Sequence, residues 1–552
     1  MASTTAIRLR RSAAQLHALT QVEREIRATD PHIRRKYLRD FHEAFRAYES
    51  ALTPAQYEQA VREADIVLVA DYHALPQCQR FTAELVEQLA KQRSVVLAVE
   101  MIFARDQHFL DGWSRGEITS DALRQRTCFD LDWGYDWQPF VEMLERARAS
   151  GVRVCGLDCM PRGDLRRIGI RDRHAALRIA EIRERHPDAA VVVLFGESHM
   201  APNHLPRHIR VHRSMDRILT VLQNADQLYW QASGERDPVH AVRVNEQVVC
   251  VFNATPLEKY ESYRAYIEKW RQERPAYPDF APSFYNMVDA LAQFLNLDRC
   301  SAAGAGPRFP VDMGPEVCSR TTDDQLRRAV LGRGGTVAEQ KQVVAATLAR
   351  GACYVPRFNT VFIRGFQITG AAEEAARFVH HACRGTIARD VQGVQENVQN
   401  SFYRAVLEDA VADFGARTLC PTRPPVRESD ICSLYSLGRE SVSALGIGSY
   451  REYMQTIDFL VLHKDYEASA LHYRQTPALL AQAPHWEGKR REYAIRMLGA
   501  MLGTELYDSY VNGTISKRFI RSVFFRDLDR DARTAYFLFV RRVRRPKRIL
   551  LT

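Results

Sequence analysis

The stretch ADIVLVADYHALP, Ala64–Pro76, decides the fold: a short β-rich apolar run closes on Asp71, Tyr72 and His73 and passes directly into QCQRFTAELVEQLAKQ, whose apolar residues fall three and four apart. The same grammar recurs downstream. SVVLAVE (Ser94–Glu100), VRVCGLD (Val152–Asp158) and AAVVVLFGE (Ala189–Glu197) are further apolar runs, and each ends in a carboxylate. WQPFVEMLERARAS and RDRHAALRIAEIRERH, between them, carry the spacing of amphipathic helices. Strand alternating with helix predicts an α/β fold with a mostly parallel sheet and crossover helices. ILTVLQ and QVVCVFN, near Ile218 and Val248, are expected to complete or edge that sheet.

Outward from this core the pattern changes on both sides. Residues 1–60 show helical spacing, as in Ile33, Tyr37, Phe41 and Phe45, and are read as an N-terminal helical extension. The α/β domain is placed at 61–275 and a mainly helical C-terminal domain at 280–552, with segments such as AAEEAARFVHHAC and REYAIRMLGAMLG. Within the latter, CYVPRFNTVFIRGF alternates like a hairpin, and SAAGAGPRFP (Ser301–Pro310) has linker composition. More than one domain also follows from a length of 552 residues.

Composition narrows the function classes. With 46% hydrophobic and 26% charged residues the chain is a folded protein rather than a disordered one. Charged residues interrupt every long apolar run, so no transmembrane segment is expected. The N-terminal segment lacks the apolar core of a signal peptide, and the expected location is cytoplasmic. Eleven cysteines without a Cys-x-x-Cys pair predict reduced thiols, with Cys155 and Cys159 more plausibly packed than metal-bound. The net charge of +10 is spread among acids. Only the tail, with Arg541, Arg542, Arg544, Arg545, Lys547 and Arg548, forms a basic run that could touch anionic surfaces; no nucleic-acid motif accompanies it.

Ligands of open parallel sheets bind at the carboxyl ends of the strands. Those ends here carry Ala70-Asp71-Tyr72-His73, Glu100, Asp158 and Gly196-Glu197-Ser198-His199. Single carboxylates after strands commonly cap the next helix, but an acid-x-His spacing repeated at two strand ends is harder to ascribe to capping. The set His73, Glu100 and His199, with Asp71 and Glu197, suits either a divalent metal or a histidine general base oriented by an acid, and the spacing does not separate them. No His-Glu-x-x-His helix is present among these residues.

These motifs, in this order, resemble the ChaN-type haem-binding uptake domain of the Tiki, TraB and erythromycin-esterase superfamily, over residues 62 to about 210. The matching positions are Ala70–His73, Glu100, Arg171-Asp172 and Gly196–His199, with LPQCQR and His204-Leu205-Pro206 as similar context. Ala70 and Asp71 stand where the superfamily usually has Gly and Glu. The resemblance implies haem or a related ligand in the strand-end crevice, with His73, His199 and Tyr72 as cofactor-binding residues; it also implies iron held by a tyrosine, for which Tyr72 and Tyr135 are the nearby candidates. It implies as alternatives a hydrolase of ester or peptide bonds, in which His73, Glu100 and His199 hold a divalent metal or activate water, and a non-catalytic binding or scaffold protein.

Other residues carry weaker signals. Arg171 and Asp172 open a helix, where Asp would cap free N–H groups. His380 and His381 on one helix could ligate metal with Glu374 and Glu408, although adjacent helical histidines diverge. Trp133 and Trp137 are expected to anchor the core or shape a pocket rim.

Overall fold

A computed structural model of the chain describes residues 3–29, 36–160, 162, 168–271, 279–297, 314–320, 322–365, 367–387, 397–469 and 477–544. The linker-like Ser301–Pro310 and the basic residues Arg545, Lys547 and Arg548 lie outside the described residues. The chain divides into two compact units, Leu19–Glu273 and a second made of Met1–Ala18 with Arg274–Thr552.

The first unit is the α/β fold. Its eight strands are β1 (Ser50–Leu52), β2 (Ile66–Asp71), β3 (Val95–Phe103), β4 (Arg153–Asp158), β5 (Ala190–Gly196), β6 (Ile218–Gln223), β7 (Ala241–Asn245) and β8 (Val248–Val251), in the order β1-β7-β8-β6-β2-β5-β3-β4. From β8 to β4 every pairing is parallel. The runs near Ile218 and Val248 do join the sheet. The antiparallel edge formed by β7 and β1 was not legible, because β1 has three residues, too few for a period to show.

Alternate residues of the buried strands feed two cores. Val67, Val69, Leu97 and Val99 pack with Trp113, Phe129 and Phe140 on one face. Ile66, Leu68, Ala98, Val193 and Phe195 pack with Ala176, Ile179 and Phe41 on the other. Burial on both faces explains why the strands read as continuous apolar runs rather than alternating ones.

Strand order positions the site. After β2 the chain moves outward to β3 and β4, then returns to insert β5 between β2 and β3 before leaving to β6 on the far side. That reversal opens a crevice at the carboxyl ends of β2 and β5. The register sets Asp71 opposite Gly196 and Val99 opposite Leu194, so three motif-bearing strand ends meet at one edge.

The β3–β4 pairing slips between Val99 and Phe103. Gly156 faces that slip: a Cβ there would lie 2.7 Å from the Phe103 carbonyl oxygen and 2.9 Å from that of Ile102. Backbone cannot yield as a side-chain tip can, so Gly156→Ala should cost about 1–3 kcal/mol. Five of the six tryptophans lie between 113 and 270, so a denaturant titration followed by their fluorescence reads this unit. An unchanged midpoint would refute the packing argument.

The second unit is mainly helical, with Ile368–Arg384, Val398–Leu419 and Gly488–Val511 among its helices. The expected hairpin is present as β10 (Ala352–Val355) and β11 (Thr360–Ile363), and β9 (Glu316–Ser319) pairs parallel with β11. His380 and His381 do not form a metal site. His380 Nδ1 donates to the Phe524 carbonyl and His381 Nδ1 pairs with the Thr386 hydroxyl, while Glu408 pairs with Arg384 and Glu374 accepts the Tyr354 N–H. No helix among the described residues is long and apolar enough to cross a membrane.

Candidate functional site

A cavity of about 1320 Å³ sits at the strand ends of the α/β unit. Asp71, Tyr72, His73, Glu100, Glu197 and His199 all line it, so the two acid-x-His motifs and the second-strand glutamate do converge.

Each histidine is held by an aspartate, though not by matching ones. His73 Nδ1 donates to Asp71 Oδ2 at 2.8 Å, two residues away, and Gln79 fixes the other oxygen of Asp71. His199 Nδ1 donates to Asp172 Oδ1 at 2.5 Å. Glu197, its motif neighbour, turns instead to Lys259 Nζ at 2.9 Å. Asp172 does not cap the helix Ile168–Arg185; it is buried in that helix's second turn, and its carboxylate accepts from His199 and from the Tyr37 hydroxyl.

Glu100 lies between the histidines and is fully engaged. Its Oε1 accepts from Arg171 at 2.5 Å, its Oε2 accepts the Gly196 N–H at 2.6 Å, and His73 Nε2 stands 3.8 Å from Oε2. Arg171 also binds Asp158, whose second cation is Arg162. The strand-end acid Asp158 is therefore the base of a buried ion-pair network, and Arg171 is its hub rather than a helix-opening residue.

The charges follow from these contacts. Burial would raise the Glu100 carboxyl, but Arg171, the two histidines and the Gly196 N–H outweigh it and hold the group at about 2. Burial would lower His73, yet Asp71 and Glu100 outweigh it and raise the imidazole above its ordinary value. Burial pushes up the carboxyl of Asp71 itself, while His73, flanked by the two carboxylates of Asp71 and Glu100, is raised.

The divalent-metal expectation finds no support in this arrangement. Among the described residues no group of three or more His, Cys, Asp or Glu side chains is arranged to hold a metal ion. Glu100 already faces a guanidinium, a fixed cation where a divalent ion would have to sit.

One wall is aromatic. The Trp133 ring packs 4.4 Å from His73, Tyr135 stands 5.1 Å from it, and Tyr135 stacks on Tyr266 at 4.2 Å. Trp137, by contrast, packs on Phe129 in the core. Burial raises both Tyr72 and Tyr135 well above the ordinary phenol value, which disfavours a phenolate at either. Tyr37, Lys259, Tyr263 and Tyr266 line the cavity without having been legible, because each reaches it from a helix outside the strand-end motifs.

An open α/β sheet with a polar, histidine-bearing crevice at its switch point is the architecture of a small-molecule site. More particularly, residues 58–169 match the family model described as haem-binding uptake, Tiki superfamily, ChaN, which places the resemblance on β2 to β4 and the loops bearing Asp71, His73 and Glu100. Among solved structures the chain is similar to one titled "Cofacial heme binding to ChaN of Campylobacter jejuni", at 14% identity and a TM-score of 0.27, over 34% of this chain and 89% of that one. No curated protein matches.

Proposed function

We propose that the strand-end cavity binds haem or a related flat macrocycle, with His73 as the residue that would hold its iron. The observation that carries this is His73 itself. Its Nδ1 is committed to Asp71, its side chain is 20% exposed where that of Asp71 is 2%, and its ring lies against Trp133 and Tyr135 in a cavity of about 1320 Å³. A carboxylate on Nδ1 fixes the tautomer that presents Nε2 to a metal and increases its basicity. The family match supports the same ligand class. Haem would supply an iron centre whose electronic character the axial ligand tunes.

Haemin titration of the purified full chain tests the proposal, followed by the Soret band. Saturation is expected at a fixed stoichiometry, with His73→Ala weakening binding about tenfold or more, on the scale seen when the shell around a metal ligand is lost. Because the iron competes with the proton for Nε2, affinity should fall as pH drops through the raised His73 value. Absence of a saturable band, or indifference to His73→Ala, would overturn the assignment.

A second reading rests on a separate observation: two aspartate-held histidines face this cavity. That pairing suits general acid–base hydrolysis of an ester or peptide bond, with His73 and His199 exchanging protons and Glu100 as fixed charge. Turnover of model esters, lost in both His73→Ala and His199→Ala, would favour it; a blank on haem and esters alike would favour a non-catalytic binding domain.

A further inference from the structure

The helix Lys36–Ala44 precedes the sheet and lies wholly outside the family-matched residues 58–169. It nevertheless reaches the second histidine. The Tyr37 hydroxyl donates to Asp172 Oδ2 at 3.0 Å, while Asp172 Oδ1 accepts His199 Nδ1 at 2.5 Å. The Tyr37 ring stacks on His204 at 3.7 Å with an interplanar angle of 19°, and meets His199 edge-on at 5.5 Å. From the same helix Asp40 pairs with His204 Nε2 at 3.2 Å, and Phe41 is 1% exposed in the core. Two of its side chains thus grip His204 while one completes the His199 pair.

We infer that Tyr37 is a positioning residue for His199, acting through Asp172, and that the helix Lys36–Ala44 sets the orientation of the cavity's second histidine. The physical reason is the division of one carboxylate between two donors. Each hydrogen bond to an anionic carboxylate stabilises its charge and weakens its pull on the other donor. With Tyr37 in place, Asp172 orients the His199 ring firmly but attracts its proton less strongly than an undivided carboxylate would. The phenol itself does not ionise into the site: burial, then the charge of Asp172 and its hydrogen bond, push it up, and Arg173 offsets this only in part.

Other charged groups surround this triad. Glu100 faces His199 from β3, His204 faces both Tyr37 and Asp172 from the loop after β5, and Asp40 and Arg173 flank the phenol. Among the described residues the hydrogen-bonded link between Tyr37 and His199 is Asp172, beside their edge-on ring contact at 5.5 Å.

This rests on reading His199 as a functional group of the cavity, and the test separates the two claims. In the full chain labelled with 13C-histidine, the His199 ring signal is assigned by its loss in His199→Gln and titrated with pH. Tyr37→Phe keeps the ring and its stacking on His204 but removes the hydroxyl. It should raise the His199 midpoint by roughly half a pH unit or more, the scale of one hydrogen bond to a carboxylate. Asp172→Asn should lower the midpoint, and Tyr37→Phe in that background should shift it no further. Superimposable titrations for wild type and Tyr37→Phe, or an equal shift with Asp172 replaced, would overturn the inference. Should Tyr37→Phe fail to fold, an unmoved midpoint in Asp172→Asn would do the same. Ligand binding that ignores His199→Gln, with the titrations as expected, would count against the functional reading and leave the positioning intact.

Discussion

Arg171→Met is expected to cost the α/β unit about 3 kcal/mol at neutral pH, near the low end of the loss for breaking a buried ion pair from one side. The guanidinium joins Glu100 and Asp158, and all three side chains are at most 9% exposed. Removing it leaves the two carboxylates unequally placed. Asp158 keeps Arg162 at 2.6 Å, whereas Glu100 keeps only the Gly196 N–H at 2.6 Å and His73 at 3.8 Å. Most of the cost therefore falls on Glu100, and the partial cover it retains keeps the figure from the top of the range.

The pH dependence fixes the sign. Glu100 is held at about 2 in the folded protein, below its ordinary value of 4.5. A depressed carboxyl contributes stability that is present above the unfolded value and is lost as pH falls through the folded one. Wild type should therefore lose this contribution between about pH 4.5 and 2. In Arg171→Met the released carboxyl rises and takes up its proton under milder acid. The gap between variant and wild type should narrow as pH falls below neutral. Denaturant midpoints read by tryptophan fluorescence at pH 7 and pH 5 test both statements. A deficit under about 1 kcal/mol at pH 7 would place the pair among the surface-like ones that contribute little.

The network also shows which parts of the site were legible in the sequence. Strand ends were, because a buried parallel strand is an apolar run and its end is where the polar residues begin; Asp71 and Asp158 close their strands and Glu197 follows β5 directly, whereas Glu100 lies three residues inside β3, which runs on to Phe103. Convergence followed from the fold class. Pairing did not, because it depends on which strands become neighbours, and β5 inserts between β2 and β3 out of chain order. The repeated acid-x-His spacing suggested two equivalent dyads. Only Asp71–His73 is one; after β5 the chain enters the short helix Glu197–Met200, and there Glu197 meets Lys259 while His199 meets Asp172.

Arg171 and Asp172 stood out as a pair, but local chemistry offered a cap as readily as a site. Tyr37 and Lys259 carried no signal, being 135 residues from Asp172 and 62 from Glu197 along the chain.

Lys259→Met should be the other severe substitution, costing about 3–5 kcal/mol. The ammonium is 2% exposed, 2.9 Å from Glu197 Oε2 and 3.5 Å from Asp226 Oδ1, with the Tyr72 ring face 4.8 Å away. Methionine preserves the volume and deletes the one cation these two carboxylates share. Burial would lower the lysine, but Asp226 and Glu197 outweigh it and raise it above its ordinary value. A raised lysine contributes stability fully present below the unfolded value and lost only as pH rises through the folded one, so wild type should keep this contribution through mildly alkaline conditions.

Glu197 runs the other way from a simple ion pair. Burial raises its carboxyl despite Lys259, because one ammonium is divided between two acids and Asp226 adds repulsion. Its proton uptake on folding means that mild acid relieves the site rather than weakening it. Two consequences follow for the variant. Its deficit should shrink as pH falls below neutral and Glu197 takes up its proton, and Glu197→Gln added to Lys259→Met should recover part of the loss at pH 7, a coupling of about 1–3 kcal/mol in a double-mutant cycle. Strictly additive effects would mean that Asp226, not Glu197, is the partner that needs the cation. Neither outcome touches the Asp71–His73 hydrogen bond, so a folded Lys259→Met that still binds haemin as wild type does would place Lys259 in the support of the cavity wall and leave His73 as the residue that meets the ligand.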